Sequence, residues 1–217
     1  SDAIKNEAPT VREELSDNIC FDWELGDIKQ AKRALKDSKY IISIELVNNR
    51  LIPNPIECRS SIGQYNLKSD TYNLYCSSQG VHSLKKKLSN IFNIQEEKLN
   101  VFTPDVGGGF GMKIFNYPEY VLTLAASKLT NKPVKWRAKR SESFLSDIHG
   151  RDHISTAKLG FDENYRITAL MVNTFANIGA YISDFGVFIP TYAGTPMLTG
   201  CYRIANAYAN VQGVFTN

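Results

Sequence analysis

Apolar residues recur along this chain at two spacings, and the two together outline its elements. Ile28, Ala31, Ala34 and Leu35 fall on one helical stripe behind Asp27, a residue suited to capping. Tyr40 to Val47 is rich in β-branched and aromatic residues and reads as a strand. Pro53 and Pro55 keep the stretch after it from being a central strand. Ser61 to Asn66 and Thr71 to Ser77 read as a hairpin around Lys68-Ser69-Asp70. Gly80 to Phe92 carries Val81, Leu84, Leu88 and Ile91 at helical spacing, and Lys98 to Thr103 reads as a strand. A glycine-rich turn leads into a helix over Tyr117 to Leu129, with Pro118 in its first turn. Val134 to Arg137 is a short strand. Asp152 to Phe161 and Ile167 to Phe175 are paired strands across Asp162-Glu163-Asn164, and Tyr202 to Phe215 alternates again. Strand–helix–strand units followed by paired strands make an α+β fold, a mixed β-sheet covered by helices. The stretch before residue 39 is polar, mixed in charge and otherwise irregular. The expected division is therefore an arm and linker over 1–38 and one domain over 39–217.

Composition narrows the classes. Of 217 residues, 43% are hydrophobic and 22% charged, which excludes disordered and collagen-like chains. No apolar run reaches transmembrane length, and no secretory segment opens the sequence. The four cysteines, Cys20, Cys58, Cys76 and Cys201, are scattered without a CxxC pair. Free thiols in a cytoplasmic protein are expected, and neither a zinc nor an iron–sulfur site is. Net charge is only +3, with residues 1–37 at −3 and the remainder at +6. Lys128, Lys132, Lys135, Arg137, Lys139 and Arg140 lie close together without an intervening acid. This run is either a solvated face or an anion-attracting rim. With Trp136 it raises the idea of nucleic-acid binding, which the modest total charge does not favour.

Three segments could carry chemistry. In Thr103 to Lys113, four of the five residues Gly107 to Gly111 are glycine, so a ligand can approach the main chain and successive amides can form an anion-binding nest. The loop is not a nucleotide fingerprint of either common kind. Met112 separates Gly111 from Lys113 with no Ser or Thr behind it, and Ile114 stands where a third spaced glycine belongs. Phe110, a large ring among minimal residues, argues for more than a tight turn. Ser77-Ser78-Gln79-Gly80-Val81-His82 offers a carboxamide at a strand end, or simply a helix cap from Ser77 or Ser78. His149-Gly150-Arg151-Asp152-His153 pairs two histidines, but Gly150 opposes the helix that would bring them together and no third ligand stands near.

Taken in order, these segments resemble one family. They are Gln79-Gly80 with His82, Pro104 to Lys113, Pro118-Glu119, Pro133-Val134-Lys135-Trp136, Arg140-Ser141-Glu142, His149-Gly150-Arg151 and Asn177-Ile178-Gly179-Ala180-Tyr181. The chain is similar, over roughly 15 to 217, to the molybdenum-binding subunit of the xanthine dehydrogenase / aldehyde oxidase / carbon monoxide dehydrogenase family. Val47 to Pro53 sides with the carbon monoxide dehydrogenase large-chain branch. The resemblance implies the first molybdopterin-binding domain of a molybdenum hydroxylase, incomplete here. Its cofactor would be molybdenum on molybdopterin, often as the cytosine dinucleotide, with iron–sulfur clusters and flavin on partner chains or domains. Gln79 would hydrogen-bond an oxygen on molybdenum, and Phe110 with Gly111 would line the metal's apical side. Gly80, Gly108 and Gly109 complete the cofactor-binding set, and no side chain of this chain would bind the metal covalently. The resemblance further implies oxidation of carbon monoxide, or hydroxylation of an aldehyde or N-heterocycle with water-derived oxygen.

Departures qualify this. The family's Ala-Tyr-Arg-Gly type loop, which carries a copper-binding cysteine in one branch, and its catalytic glutamate both belong beyond Asn217. The ending in a strand pattern suggests a fragment, inactive alone and prone to self-association through exposed apolar surface. Glu57 is no substitute base, because Pro55 to Arg59 matches a structural segment of the family. A non-catalytic binding or assembly module that kept the fold is the alternative.

Overall fold

The computed structural model describes residues 2–5 and 7–217, so residues 1 and 6 of the expected arm lie outside the described residues. The chain divides into two compact units, one of residues up to Arg50 together with Arg151–Asn217, the other Leu51–Gly150.

The first unit is a five-stranded sheet with one helix. Its strands are β1 (Ile19–Gly26), β2 (Tyr40–Asn48), β7 (His153–Phe161), β8 (Ile167–Gly179) and β9 (Asn206–Phe215), in the order β1-β9-β8-β7-β2. Only β8 and β9 run parallel. Helix α1 (Ile28–Lys36) is capped as its sequence requires, with the Lys29 and Gln30 N–H groups donating to Asp27 Oδ1 at 2.8 and 3.0 Å. Its Ala31 and Leu35 pack with Ala169, Met171 and Tyr208 of the sheet.

Strand β1 corrects the reading of an irregular arm. Phe21 and Trp23 alternate with exposed Asp22 and Glu24, a half-buried pattern, and the partner that confirms it is β9 at the other end of the chain. The last strand starts at Asn206 rather than Tyr202, behind short helical turns at Ile189–Ala193 and Thr195–Met197.

The second unit builds a separate four-stranded sheet, so the strands divide between two sheets rather than one. Its order is β5 (Leu99–Phe102), β4 (Thr71–Cys76), β3 (Ser60–Asn66) and β6 (Val134–Arg137). The hairpin β3–β4 is antiparallel and in the register its turn implies, Asn66 opposite Thr71. Helices α2 (Val81–Phe92) and α3 (Pro118–Thr130) cover it, burying Leu84, Leu88, Tyr120 and Leu124 with Leu74 and Leu99 of the sheet. A short helix α4 (Arg140–Ser146) follows β6.

An ion cluster lies inside this unit. Arg59 is wholly buried and donates from Nε to Asp147 Oδ1 at 2.6 Å and from Nη1 to Glu119 Oε2 at 2.8 Å. Its guanidinium carbon lies 3.6 Å from the centroid of the Tyr117 ring. An arginine can be buried here because its donors meet two carboxylates and the Ser146 hydroxyl at 3.1 Å.

Candidate functional site

The glycine loop occupies the connection between β5 and α3, and its backbone departs from ordinary conformations. Gly108 has φ +98°, Gly111 φ +80°, and between them Phe110 has φ 50°. For a bulky residue the left-handed region is unfavourable by about 1–2 kcal/mol, and such outliers persist where surrounding contacts impose them. The Phe110 side chain gains little burial in exchange, since the residue is 72% exposed. Its ring lies over Gly108, where a Cβ would come within 3.1 Å of Phe110 Cε2 and 3.2 Å of Pro55 Cβ.

Gln79, just before α2, meets the same loop. A Cβ at Gly109 would fall 2.5 Å from Gln79 Cδ, so only glycine admits the carboxamide there. The Lys113 N–H donates to Gln79 Oε1 at 3.1 Å, and the Gln79 N–H returns to the Lys113 carbonyl at 3.1 Å. With its oxygen fixed by a donor, the carboxamide orientation is determined and its Nε2 protons remain available.

The loop's amides divide into two sets. Gly107 N–H donates to Glu57 Oε2 at 2.9 Å, and Met112 N–H to the Gly109 carbonyl at 3.0 Å. The N–H groups of Gly108, Gly109, Phe110 and Gly111 meet no acceptor among the described residues. At Gly111 a Cβ would meet nothing within 4 Å. A run of unpaired donors on a chain with left-handed residues at Gly108, Phe110 and Gly111, open to solvent, suits an anionic, oxygen-bearing group approaching closely. It does not suit a bare cation, and no cluster of three His, Cys, Asp or Glu residues forms among the described residues.

Of the six expected site residues, Gln79, Gly108, Gly109 and Phe110 come together in one cluster. Gly111 lies at its open end. Gly80 is the N-cap residue of α2, and its Cβ position faces Ser83 and Ile114 rather than the glycine run. The expected serine caps are not found as side-chain caps of α2; Ser78 Oγ instead accepts from the Gly80 N–H at 3.1 Å.

Two residues beneath the loop were not foreseen in this role. Lys113 is wholly buried, and its Nζ lies 2.7 Å from Glu57 Oε2. Burial alone would raise the Glu57 carboxyl. Hydrogen bonds from Lys113, the Gly107 N–H and Ser77, together with the Lys113 charge, outweigh it and hold the carboxyl below its ordinary value. Glu57 is thus an engaged carboxylate. The one available signal was the apolar setting of Lys113 between Met112 and Ile114-Phe115, which predicts a buried amine.

Two members of the basic run are engaged within the unit. Arg140 spends its guanidinium on Asn54 Oδ1, Pro55 O and Ile56 O at 2.6, 2.8 and 2.7 Å. Lys128 Nζ sits 5.2 Å from the Tyr65 ring centroid. The four cysteines are all free. No helix among the described residues is long and apolar enough to cross a membrane.

With this geometry established, comparison with known proteins is informative. The molybdopterin cofactor-binding domain family matches residues 11–217. The chain is 29% identical to the carbon monoxide dehydrogenase large chain of Hydrogenophaga pseudoflava, over 100% of this chain and 28% of that protein. It is 30% identical to the nicotine 6-hydroxylase large subunit of Paenarthrobacter nicotinovorans, over 96% of this chain and 26% of that one. Among solved structures, reconstituted CO dehydrogenase from Oligotropha carboxidovorans superposes with a TM-score of 0.89 at 26% identity, covering 99% of this chain and 28% of that one. The chain therefore spans little more than a quarter of the length of these relatives.

Proposed function

Because this chain belongs to the family of molybdopterin cofactor-binding domains, we propose that its glycine loop and Gln79 form one wall of a molybdopterin site in a molybdenum hydroxylase. The residues fit such a group. Four unpaired amides and a carboxamide with free protons are donors, matched to oxygen atoms and negative charge, and bare glycine permits the approach. When bound, the molybdenum centre supplies two-electron oxidation with oxygen taken from water.

This chain's part is positional. Gln79 Nε2 donates to an oxygen carried by the cofactor, with the carboxamide oxygen anchored on Lys113 N–H. The Gly108 to Gly111 amides hold the negatively charged side, and Phe110 places an aromatic face where water would otherwise stand. None of these residues moves a proton. We place the catalytic base outside this set, since Glu57 is committed to Lys113 and Gly107.

The relatives, named for carbon monoxide dehydrogenation and nicotine hydroxylation, support the proposed reaction class of carbon monoxide oxidation or N-heterocycle hydroxylation; hydroxylation of an aldehyde, and iron–sulfur and flavin partners that would take the electrons, rest on the family resemblance. The observation that carries the reading is Phe110, held left-handed and 72% exposed in a loop fastened to Gln79. Strain in an exposed ring has no folding benefit and is expected where a ligand needs it. The test is molybdenum and pterin analysis of the protein purified with its partner chains. Both are expected at about one per chain. Stoichiometric absence of both would refute the cofactor site and favour a binding module that kept only the fold.

A further inference from the structure

We propose that the Lys113–Glu57 pair is a clasp that sets the shape of the cofactor loop, making both of them positioning residues. The inference rests on the cofactor reading above but has its own geometry. The loop from Gly107 to Gly111 has four glycines in five residues and almost no hydrogen bonds within itself, Met112 N–H to Gly109 O being the one within its turn. Such a segment loses more conformational entropy on ordering than any other composition. Its shape must therefore come from outside.

One carboxylate oxygen supplies it at both ends. Glu57 Oε2 accepts from the Gly107 N–H at 2.9 Å, where the loop begins, and from Lys113 Nζ at 2.7 Å, where it ends. The Glu57 N–H also donates to the Gly107 carbonyl at 3.1 Å, so Glu57 and Gly107 are doubly joined. Lys113 is joined in turn to Gln79 through the two bonds already described. Gly107, Lys113 and Gln79 thus share one framework whose centre is the ion pair, and a shift in the pair moves the amides and the carboxamide together.

Burial explains why a lysine serves. Lys113 is 0% exposed and Glu57 35%. A charge removed from water to this degree needs its partner, which fixes the distance between the two ends far more firmly than an exposed pair could. A loop with neutral packing at the same position would be free to slide.

The experiment compares the wild-type holoprotein, purified with its partner chains, with Lys113→Met and with the double variant Glu57→Gln/Lys113→Met. The double variant is near-isosteric and leaves no unpaired carboxylate, so it decides the matter if Lys113→Met alone fails to fold. Three readouts are taken: hydrogen exchange at the paired loop amides of Gly107, Met112 and Lys113, molybdenum and pterin per chain, and the thermal midpoint. Exchange in the loop is expected to rise at least tenfold and cofactor content to fall at least fivefold in both variants, with exchange in α2 and α3 unchanged. The double variant is expected to regain thermal midpoint over Lys113→Met without regaining cofactor. If cofactor content and loop protection return together with the midpoint, or if exchange rises uniformly across the unit, the pair is merely stabilising and the clasp is refuted. Wild-type protein without molybdenum or pterin overturns the cofactor reading instead, while the loop exchange still decides the clasp.

Discussion

Replacing Gly109 by alanine tests the contact on which the site depends. The backbone at Gly109 is not left-handed, so alanine is allowed by its torsions, and the effect comes from one methyl group. That methyl would stand 2.5 Å from Gln79 Cδ, 2.6 Å from Oε1 and 2.8 Å from Cγ. Because the obstacle is a flexible side chain, the carboxamide can swing aside. Doing so breaks the 3.1 Å bond from Lys113 N–H. An off-rotamer or alternative side chain costs about 0.5–1.5 kcal/mol, and a lost hydrogen bond of this kind about 0.5–1.5 kcal/mol. The sum is about 1–3 kcal/mol, which is roughly a 5- to 150-fold loss of local protection at the Lys113 amide. Amide hydrogen exchange resolved to Lys113 measures it, with thermal unfolding as the global check. Cofactor content should fall further than stability does, because the displaced carboxamide is also the proposed donor. If the Lys113 amide keeps its protection in Gly109→Ala, Gln79 is not locked against the loop and the site as described is wrong.

Two further outcomes are expected. Arg59→Met leaves Asp147, 1% exposed at its side chain, without its partner, and should cost about 3–5 kcal/mol; a denaturant midpoint shift at unchanged slope measures this, and a loss under about 1 kcal/mol would show that the cluster is not a buried ion network. His153 is pushed below its ordinary value by burial, against the upward pull of Asp152. Its folded form thus resists protonation that the unfolded chain accepts, so stability should fall as pH drops from about 6.5 towards the lower folded value. Subtracting the pH profile of His153→Gln from that of wild type isolates the effect, and identical profiles would refute it.

How far the sequence could be read depends on the range of the interactions concerned. The hairpin β3–β4, helices α1 to α3 and the paired β7 and β8 follow from local periodicity and turn residues, and they stand where expected. Strand β1 did not show, because its Asp22 and Glu24 resemble an acidic arm until Asn210 and Gln212 are known to donate to Asp22 across 188 and 190 residues. Helix α4 is short and polar; its signal was Glu142, whose Oε2 accepts from the Lys139 N–H at 3.2 Å. The division of strands between two sheets is likewise a matter of pairing between distant segments. At the site, the glycine run and Gln79 were legible because special backbone and a lone carboxamide leave marks in composition. Glu57 and Lys113 lie 56 residues apart, and the apolar neighbours of Lys113 point to a buried amine without naming its partner, so only the fold reveals what the two do together.

A loop that offers its amides to a ligand cannot use those amides to hold itself. This one is held by residues that need not touch the ligand at all. Arg140 fastens Asn54 to Ile56, and with them Pro55, whose Cβ borders Gly108 as the Phe110 ring does. Glu57 and Lys113 hold the two ends. Tyr117 donates its hydroxyl to the Met112 carbonyl at 3.0 Å and accepts from the Ile148 N–H at 3.2 Å. Burial pushes that phenol up to about 12, so it keeps its proton and donates at neutral pH. Its ring in turn lies against Arg59, which joins the loop's support to the buried ion cluster. The charged residues inside this unit are costly to bury and contribute little net stability as pairs. Their placement makes sense as scaffolding: each fixes one end or one face of a segment that has given up its own means of being rigid.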